Sequence, residues 1–376
     1  MFFISKNEFL RLFHKQKSGT FAEFLKNATV KRGKTLVPLV DYMKSNNVST
    51  KNIKELFHHI VNRAEYLERF YDVSMKLPDE LTISQSPMKN KNMDNNSLVV
   101  YKNVIRNMFY KDILRNTKSG FENTPSFLIV LEDLFIREII DYKLLTPSAL
   151  HYMNLGRLGS VFSSFYFRAS IMNPYLVYSL NESVLKGKSI FTPTMGWGSY
   201  CYGFLECPEV YEYVGTDVIP NVCNKTKQFA QHFYPNKIVD IYQEPSEQLA
   251  KNQVFKTKYK NHFDVVFFSP PYYRLELYPG KDQSTTQYKT YEEWLEKYWE
   301  ATIKLCYFVL KPGGKMCYIL SGYGSENTGN VYDLLKDMNK VSAKYFILKS
   351  SQPMYNKNVN STSHRETNEK IMVYVK

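Results

Sequence analysis

Residues 263–273 read FDVVFFSPPYY, and this stretch constrains the fold more than any other in the chain. Val265, Val266, Phe267 and Phe268 are β-branched or aromatic with no polar alternation, the pattern of a strand buried on both faces of a parallel sheet. Pro270 and Pro271 lack amide hydrogens and fix their own φ, so the strand stops at Ser269 and a stiff loop follows. In open α/β sheets that carboxyl end is where ligands bind. The loop offers a hydroxyl (Ser269), carbonyls without local amide partners and an aromatic plane (Tyr272), which suits a planar ring bearing an exocyclic amine.

A parallel sheet needs crossover helices and covered faces, and 376 residues with 44% hydrophobic content can supply them beside a second domain. The net charge of +13, from 49 Lys+Arg against 36 Asp+Glu, favours a polyanionic partner, although an AT-rich genome also enriches lysine codons. Cys201, Cys207, Cys223, Cys306 and Cys317 are scattered and odd in number, which argues against a zinc site and a disulfide framework and for reduced thiols in a cytosol-like compartment. No apolar run approaches transmembrane length, and the opening residues are too short and too soon charged for a signal peptide.

The first half reads as helical. Phe9, Leu10, Leu12 and Phe13, then Phe57, Ile60, Val61 and Leu67, recur at helical intervals, and the basic group Lys31, Arg32, Lys34 is expected between helices. Residues 78–96 are polar with two prolines and no apolar period, so a linker or long surface loop is expected there. Helical periods return over 98–115 and 127–142. His14 and His151, without nearby carboxylate partners in sequence, read as structural.

The second half repeats a strand-then-helix pattern. Asn173-Pro174 has the chemistry of a helix cap and first turn. Residues 189–205 give a short strand, the turn Gly196-Trp197-Gly198 and a helix whose amino terminus offers free amides. About twenty residues on, a second strand ends at Asp217, the placement of a carboxylate on ribose hydroxyls. A third strand, 238–242, ends in Glu244, Pro245, Ser246 and Glu247, one of which would accept from an adenine amine. After the Ser-Pro-Pro-Tyr loop come a polar stretch with Glu276, Asp282, Gln283 and Ser284, an amphipathic helix over 288–306, a Lys-Pro-Gly-Gly turn at 311–314 and a strand at 315–320. Residues 345–349 and 370–375 read as strands around a polar loop containing Tyr355, His364 and Arg365.

With these motifs in view, the chain resembles the S-adenosylmethionine-dependent amino-methyltransferases that modify DNA bases, most closely viral and phage-type members with a GWG glycine loop and an SPPY loop. The resemblance runs from about residue 165 onward. Asn173 and Pro174 match the family's cofactor-side element, and Pro193, Gly196 and Gly198 its glycine loop. Asp217 matches the ribose acid, Ser269, Pro270, Pro271 and Tyr272 the catalytic loop, and 311–314 the common LKPGG turn. Thr192 stands where the family usually has an acid, and Ser199 where glycine is frequent. The resemblance implies an α/β fold: a Rossmann-like class I methyltransferase sheet with a C-terminal antiparallel hairpin over 161–376, preceded by a mainly helical domain over 1–160 with a linker near 78–97. The implied cofactor set is Asn173, Pro174, Thr192, Pro193, Gly196, Trp197, Gly198, Asp217, Val218, Glu244 and Ser246, with Trp197 either lining the pocket or packing beneath the loop.

The mechanism so implied is direct methyl transfer, with Ser269 Oγ and the Pro270 carbonyl accepting from the amine and Tyr272 stacked on a flipped base. In this family serine before the two prolines is commoner in enzymes acting on cytosine N4, and aspartate or asparagine in those acting on adenine N6; cytosine N4 is expected. Cytosine C5 chemistry needs a cysteine nucleophile, and the chain has Cys207-Pro208 but no Pro-Cys. DNA is the expected partner, in the cytoplasm of a cell or infected host and without a membrane. RNA or protein-glutamine methylation, and a non-catalytic subunit that has kept the fold, stay open. No large recognition domain follows the catalytic half, so sequence reading would fall to the helical half or a partner.

Overall fold

The computed structural model describes residues 2–14, 19–83, 85–121, 124–321, 332–355 and 369–376. Two compact units emerge: Phe3–Lys76 with Tyr110–Ala169, and Leu77–Phe109 with Ser170–Lys376. The helical expectation for 1–160 is therefore divided differently. Residues 77–109 group with the sheet unit, because polar contacts hold them there: the Met88 amide donates to Ser179 Oγ at 3.0 Å, and Asn95 Oδ1 accepts from the Asn173 amide at 2.7 Å. Side-chain amides leave no periodic trace in a sequence, so the stretch reads as a linker.

In the first unit, helices Lys6–Arg11, Thr50–Val61, Arg63–Ser74 and Phe127–Arg137 bury an aromatic core that includes Phe9, Phe13, Phe70, Phe127 and Phe135. The basic group is not a helix-to-helix connection. Thr29–Arg32 and Thr35–Pro38 form an antiparallel hairpin turned by Gly33 at φ 63°, and Ile139–Asp141 adds to it in parallel. The helix begun at Phe127 accordingly ends at Glu138, left-handed at φ 57°, short of 142. Lys31 Nζ lies 3.0 Å from Asp133 Oδ2, and the Arg32 guanidinium sits 5.1 Å over the Tyr142 ring.

The second unit is a seven-stranded sheet covered by helices. Its strands are β1 (Ser189–Thr192), β2 (Glu212–Thr216), β3 (Ile238–Tyr242), β4 (Phe263–Phe268), β5 (Leu310–Leu320), β6 (Ile347–Pro353) and β7 (Lys370–Val375). They lie in the order β6-β7-β5-β4-β1-β2-β3, with β1 to β5 parallel and β7 antiparallel to both its neighbours. This is the order of the Rossmann-like class I methyltransferase sheet, ending in an antiparallel pair. β4 is central: Val265 and Val266 pair with Ile190 and Phe191 on one side and with Lys315 and Met316 on the other, and Val265, Val266, Phe267 and Phe268 are buried. From β1 the chain builds outward through β2 and β3, then returns to place β4 and β5 on β1's other side. The reversal opens a crevice at the carboxyl ends of β1 and β4.

Three boundaries differ from expectation. Residues 311–314 are not a turn before the strand but a bulge within β5, since Leu310 already pairs with Phe263 and the register resumes at Lys315 with Val265. The expected helix 288–306 runs instead from Tyr291 to Val309, with a wider turn over Leu295–Glu300. β6 reaches Pro353, beyond 349, and His364 and Arg365 lie outside the described residues. Among the described residues no helix is long and apolar enough to cross a membrane.

Candidate functional site

The crevice holds a cavity of about 420 Å³. Four strand ends supply much of its wall, each through a different local device.

After β1, Gly196, Trp197 and Gly198 take φ values of 51°, 60° and 77°, three consecutive residues in the left-handed region. Glycine is required on both sides. A Cβ on Gly196 would lie 2.3 Å from Tyr200 Cζ, and one on Gly198 would lie 2.6 Å from Thr226 Oγ1. Trp197 bears the strain of positive φ, and its buried indole is fixed by donating to the Ser170 carbonyl at 3.1 Å. Pro193, Gly196 and Trp197 line the cavity. Thr192 does not: it is fully buried, its hydroxyl 2.6 Å from that of Tyr213.

After β2, Asp217 and Val218 reach the cavity. Asp217 Oδ2 accepts from the Met195 amide at 3.3 Å and Oδ1 from the Ile219 amide at 3.1 Å, so the carboxylate ties the glycine loop to its own turn. Burial raises its pKa above the usual 3.8, against these backbone donors. After β3, the Glu244 carbonyl accepts from Thr216 Oγ1, and Ser246 Oγ lies 2.7 Å from Thr302 Oγ1; both Glu244 and Ser246 line the cavity. Beside them Glu247 is buried, which pushes its carboxyl up, and Tyr288 donates to its Oε1 at 3.3 Å.

After β4, Ser269, Pro270, Pro271 and Tyr272 all face the cavity. Ser269 Oγ donates to the Ile319 carbonyl at 3.1 Å, near the end of β5. The Ser269 amide donates to Tyr200 Oη at 3.1 Å, and its carbonyl accepts from Thr194 Oγ1 at 3.4 Å. Tyr272 Oη accepts from the Ser321 amide at 2.9 Å and donates to Glu369 Oε1 at 3.3 Å; burial and Glu369 hold the phenol protonated. Tyr273 turns the other way into the core, against Tyr291 and Trp294.

The polar stretch that follows folds back over the glycine loop. Glu276 Oε1 accepts from the Ser170 amide at 2.9 Å and from Ser170 Oγ at 2.8 Å. Tyr278 donates to Glu276 Oε2 at 2.6 Å, and its ring lies 5.7 Å from that of Trp197. Asn173 and Pro174 are buried away from the cavity wall. Asn173 caps the helix Pro174–Leu180 by accepting from the Tyr175 amide, and its Nδ2 donates to the Ser97 carbonyl at 2.5 Å. Gly198 likewise shapes the turn without lining the cavity.

The wall also contains residues the sequence reading did not single out: Asn95, Asn96, Lys102, Tyr200, Tyr278 and Glu369. Tyr200 had a signal, an aromatic in the first turn of the helix after a glycine loop. Lys102 had none, being far from every motif, whereas Glu369 is the last residue of the polar loop expected between the two terminal strands, a loop expected to be exposed and to touch substrate. Among the described residues no group of His, Cys, Asp and Glu could hold a metal ion.

A sequence family described as DNA methylase matches residues 263–376, less than a third of the chain, beginning at the first residue of β4. No curated protein matches. Solved structures with similar folds include the N-methyltransferase NodS of Bradyrhizobium japonicum WM9 in complex with S-adenosyl-L-homocysteine, at 12% identity and TM-score 0.36 over 53% of this chain and 82% of that one. They also include TrmN of Thermus thermophilus, at 13% identity and TM-score 0.36 over 54% of this chain and 48% of that one. Aeropyrum pernix fibrillarin with natively bound S-adenosyl-L-methionine is similar at 11% identity and TM-score 0.32, over 50% and 66% of the two chains. The fold assignment rests on the strand order given above.

Proposed function

We propose that this chain transfers a methyl group from S-adenosylmethionine to the exocyclic amine of a base in DNA, cytosine N4 in preference to adenine N6. The observation that carries the reading is the hydrogen bond from Ser269 Oγ to the Ile319 carbonyl. It commits the hydroxyl proton and leaves Oγ with lone pairs only, beside the Pro270 carbonyl, on a loop stiffened by two prolines. Two acceptors so placed take the two hydrogens of an amine and turn its nitrogen lone pair outward. The match of residues 263–376 to the DNA methylase family supports the same substrate class. Serine before the two prolines favours cytosine.

When bound, S-adenosylmethionine supplies an electrophilic methyl group on a sulfonium. Asp217 accepts from the ribose hydroxyls, Gly196 and Trp197 let the backbone come close, and Glu244 or Ser246 takes the adenine amine. Thr192, Asn173, Pro174 and Gly198 act one layer back, Thr192 against Tyr213, Asn173 against Asn95 and Ser97, Pro174 in the first turn of its helix and Gly198 in the turn itself. Ser269 and the Pro270 carbonyl orient the target nitrogen and stabilise the charge that grows on it. Tyr272 stacks on the base, worth roughly 1 to 3 kcal/mol, which offsets part of the cost of flipping it from a duplex.

The test is incubation of the protein with tritiated S-adenosylmethionine and unmethylated duplex DNA, followed by mass spectrometry of the nucleosides. N4-methylcytosine is expected. N6-methyladenine would overturn the choice of base, and label in RNA or protein instead of DNA would overturn the substrate class.

A further inference from the structure

Part of the cavity wall comes from residues 93–102, far from every motif of the sheet. This segment is anchored at two places. Asp94 forms a parallel bridge with Tyr355 just beyond β6: the Asn95 amide donates to the Tyr355 carbonyl at 3.0 Å and the Tyr355 amide to the Met93 carbonyl at 2.8 Å. On the other side Asn95 Oδ1 accepts from the Asn173 amide, and Asn95 Nδ2 donates to the Ile171 carbonyl at 3.3 Å. The result is an anchored wall in which Asn96 and Lys102 line the cavity together with Ile171 and Met172.

Lys102 begins the second half-turn of the helix Val100–Met108 and is half-buried in that wall. Its ammonium donates to Asn96 Oδ1 at 3.5 Å, a long contact for a group with three donors. Burial, and next Arg106 one turn on, lower its pKa to about 8, with Glu369 and Asp94 acting in the opposite sense through space without hydrogen-bonding to it. Among the described residues this half-buried ammonium has only that one long direct contact, and an anion delivered into the cavity would give it a charged acceptor.

We propose that Lys102 is the oxyanion-binding residue of this cavity, donating to an oxygen of a bound reactant. The inference rests on the methyl-transfer reading, which supplies two oxyanions: the α-carboxylate of the cofactor and a phosphodiester of the target strand. Both present the charged acceptor that an ammonium prefers.

The full chain and its Lys102→Met and Lys102→Arg variants are titrated calorimetrically with S-adenosylhomocysteine and with 5′-methylthioadenosine, which keeps the adenosine and lacks the carboxylate. KM for duplex DNA is measured at two salt concentrations. If the partner is the cofactor carboxylate, Lys102→Met weakens S-adenosylhomocysteine about tenfold or more, leaves methylthioadenosine unchanged, and Lys102→Arg restores most of the loss. If the partner is a phosphate, S-adenosylhomocysteine is unaffected, KM for DNA rises about tenfold, and the salt dependence falls by about one counterion. Unchanged S-adenosylhomocysteine affinity together with unchanged KM for DNA overturns the proposal. Equal loss of both nucleosides in Lys102→Met also overturns it, marking a packing role. A wild-type chain that binds neither nucleoside would defeat the methyl-transfer reading itself, and this inference with it.

Discussion

Tyr200 Oη lies 3.1 Å from the amide nitrogen of Ser269 and 3.5 Å from its carbonyl oxygen, so one phenol holds both polar backbone groups of the residue that opens the Ser-Pro-Pro-Tyr loop. The same ring fills the space that a side chain at Gly196 would need. Tyr200 thus joins the loop after β1 to the loop after β4. Replacing it by phenylalanine keeps the packing and removes the hydroxyl, leaving the partly buried Ser269 amide short of an acceptor at a cost of about 1 kcal/mol. Tyr200→Phe is expected to lower kcat by about ten- to a hundredfold while KM for the cofactor stays within about threefold. Single-turnover methylation with cofactor titration checks both numbers.

Ser269 and Tyr272 are expected to separate transfer from cofactor binding. Ser269→Ala removes an acceptor for the amine, and Tyr272→Ala removes the stacking plane; each should abolish detectable methylation while S-adenosylhomocysteine affinity stays near wild type. Calorimetry beside a radiolabel transfer assay reads this directly. Equal loss of cofactor affinity in both variants would mean that the loop belongs to the cofactor side.

The glycine loop should tolerate no side chain on either flank of Trp197. Gly196→Ala and Gly198→Ala each combine positive φ, about 1 to 2 kcal/mol for a residue with a Cβ, with a contact well inside van der Waals distance. Gly196→Ala is the worse case, since its clash is with the ring of a buried tyrosine. Both should lower the melting temperature and abolish cofactor binding, with thermal unfolding in the presence and absence of S-adenosylhomocysteine as the measurement.

Asp217 sets a pH dependence. Its folded pKa is raised by burial, so the stability linked to its protonated form is present below the ordinary 3.8 and is lost as pH rises through the raised value. At neutral pH the carboxylate is therefore held ionised at the expense of folding free energy, in the form that can accept from two hydroxyls. Cofactor affinity is expected to fall as the pH is lowered, starting above 3.8, and Asp217→Asn should bind more weakly with that acid limb removed. Titrations across pH 4 to 8, with an unfolding control at each pH, check the sign (the range set by ordinary carboxylate values).

β1, β2 and β4 were legible because burial on both faces makes each largely apolar, and β3, a partly buried edge strand, because it is short and rich in β-branched residues; proline, glycine or acid punctuates each carboxyl end. Other features carry no comparable trace. The hairpin around Gly33 reads as a solvated basic stretch, since Lys31 and Arg32 find their partners, Asp133 and Tyr142, only across about a hundred residues of chain. The bulge in β5 looks like a turn because Pro312, Gly313 and Gly314 suit both. Trp197 is the sharpest case: left-handed tryptophan is unfavourable locally, and the indole bond to Ser170 that supports it is tertiary. The wall formed by residues 93–102 is likewise a matter of amide side chains meeting distant backbone.

That wall bears on how the protein is made. The cavity is lined by residues from Asn95 to Glu369, and the segment carrying Asn95 is pinned to Tyr355. On the ribosome, β1 to β4 can emerge and begin to pair while the early segment has nothing to close against. A nascent chain therefore has no finished cavity until Glu369 has left the exit tunnel, so the sheet must pair before the cavity it carries is closed.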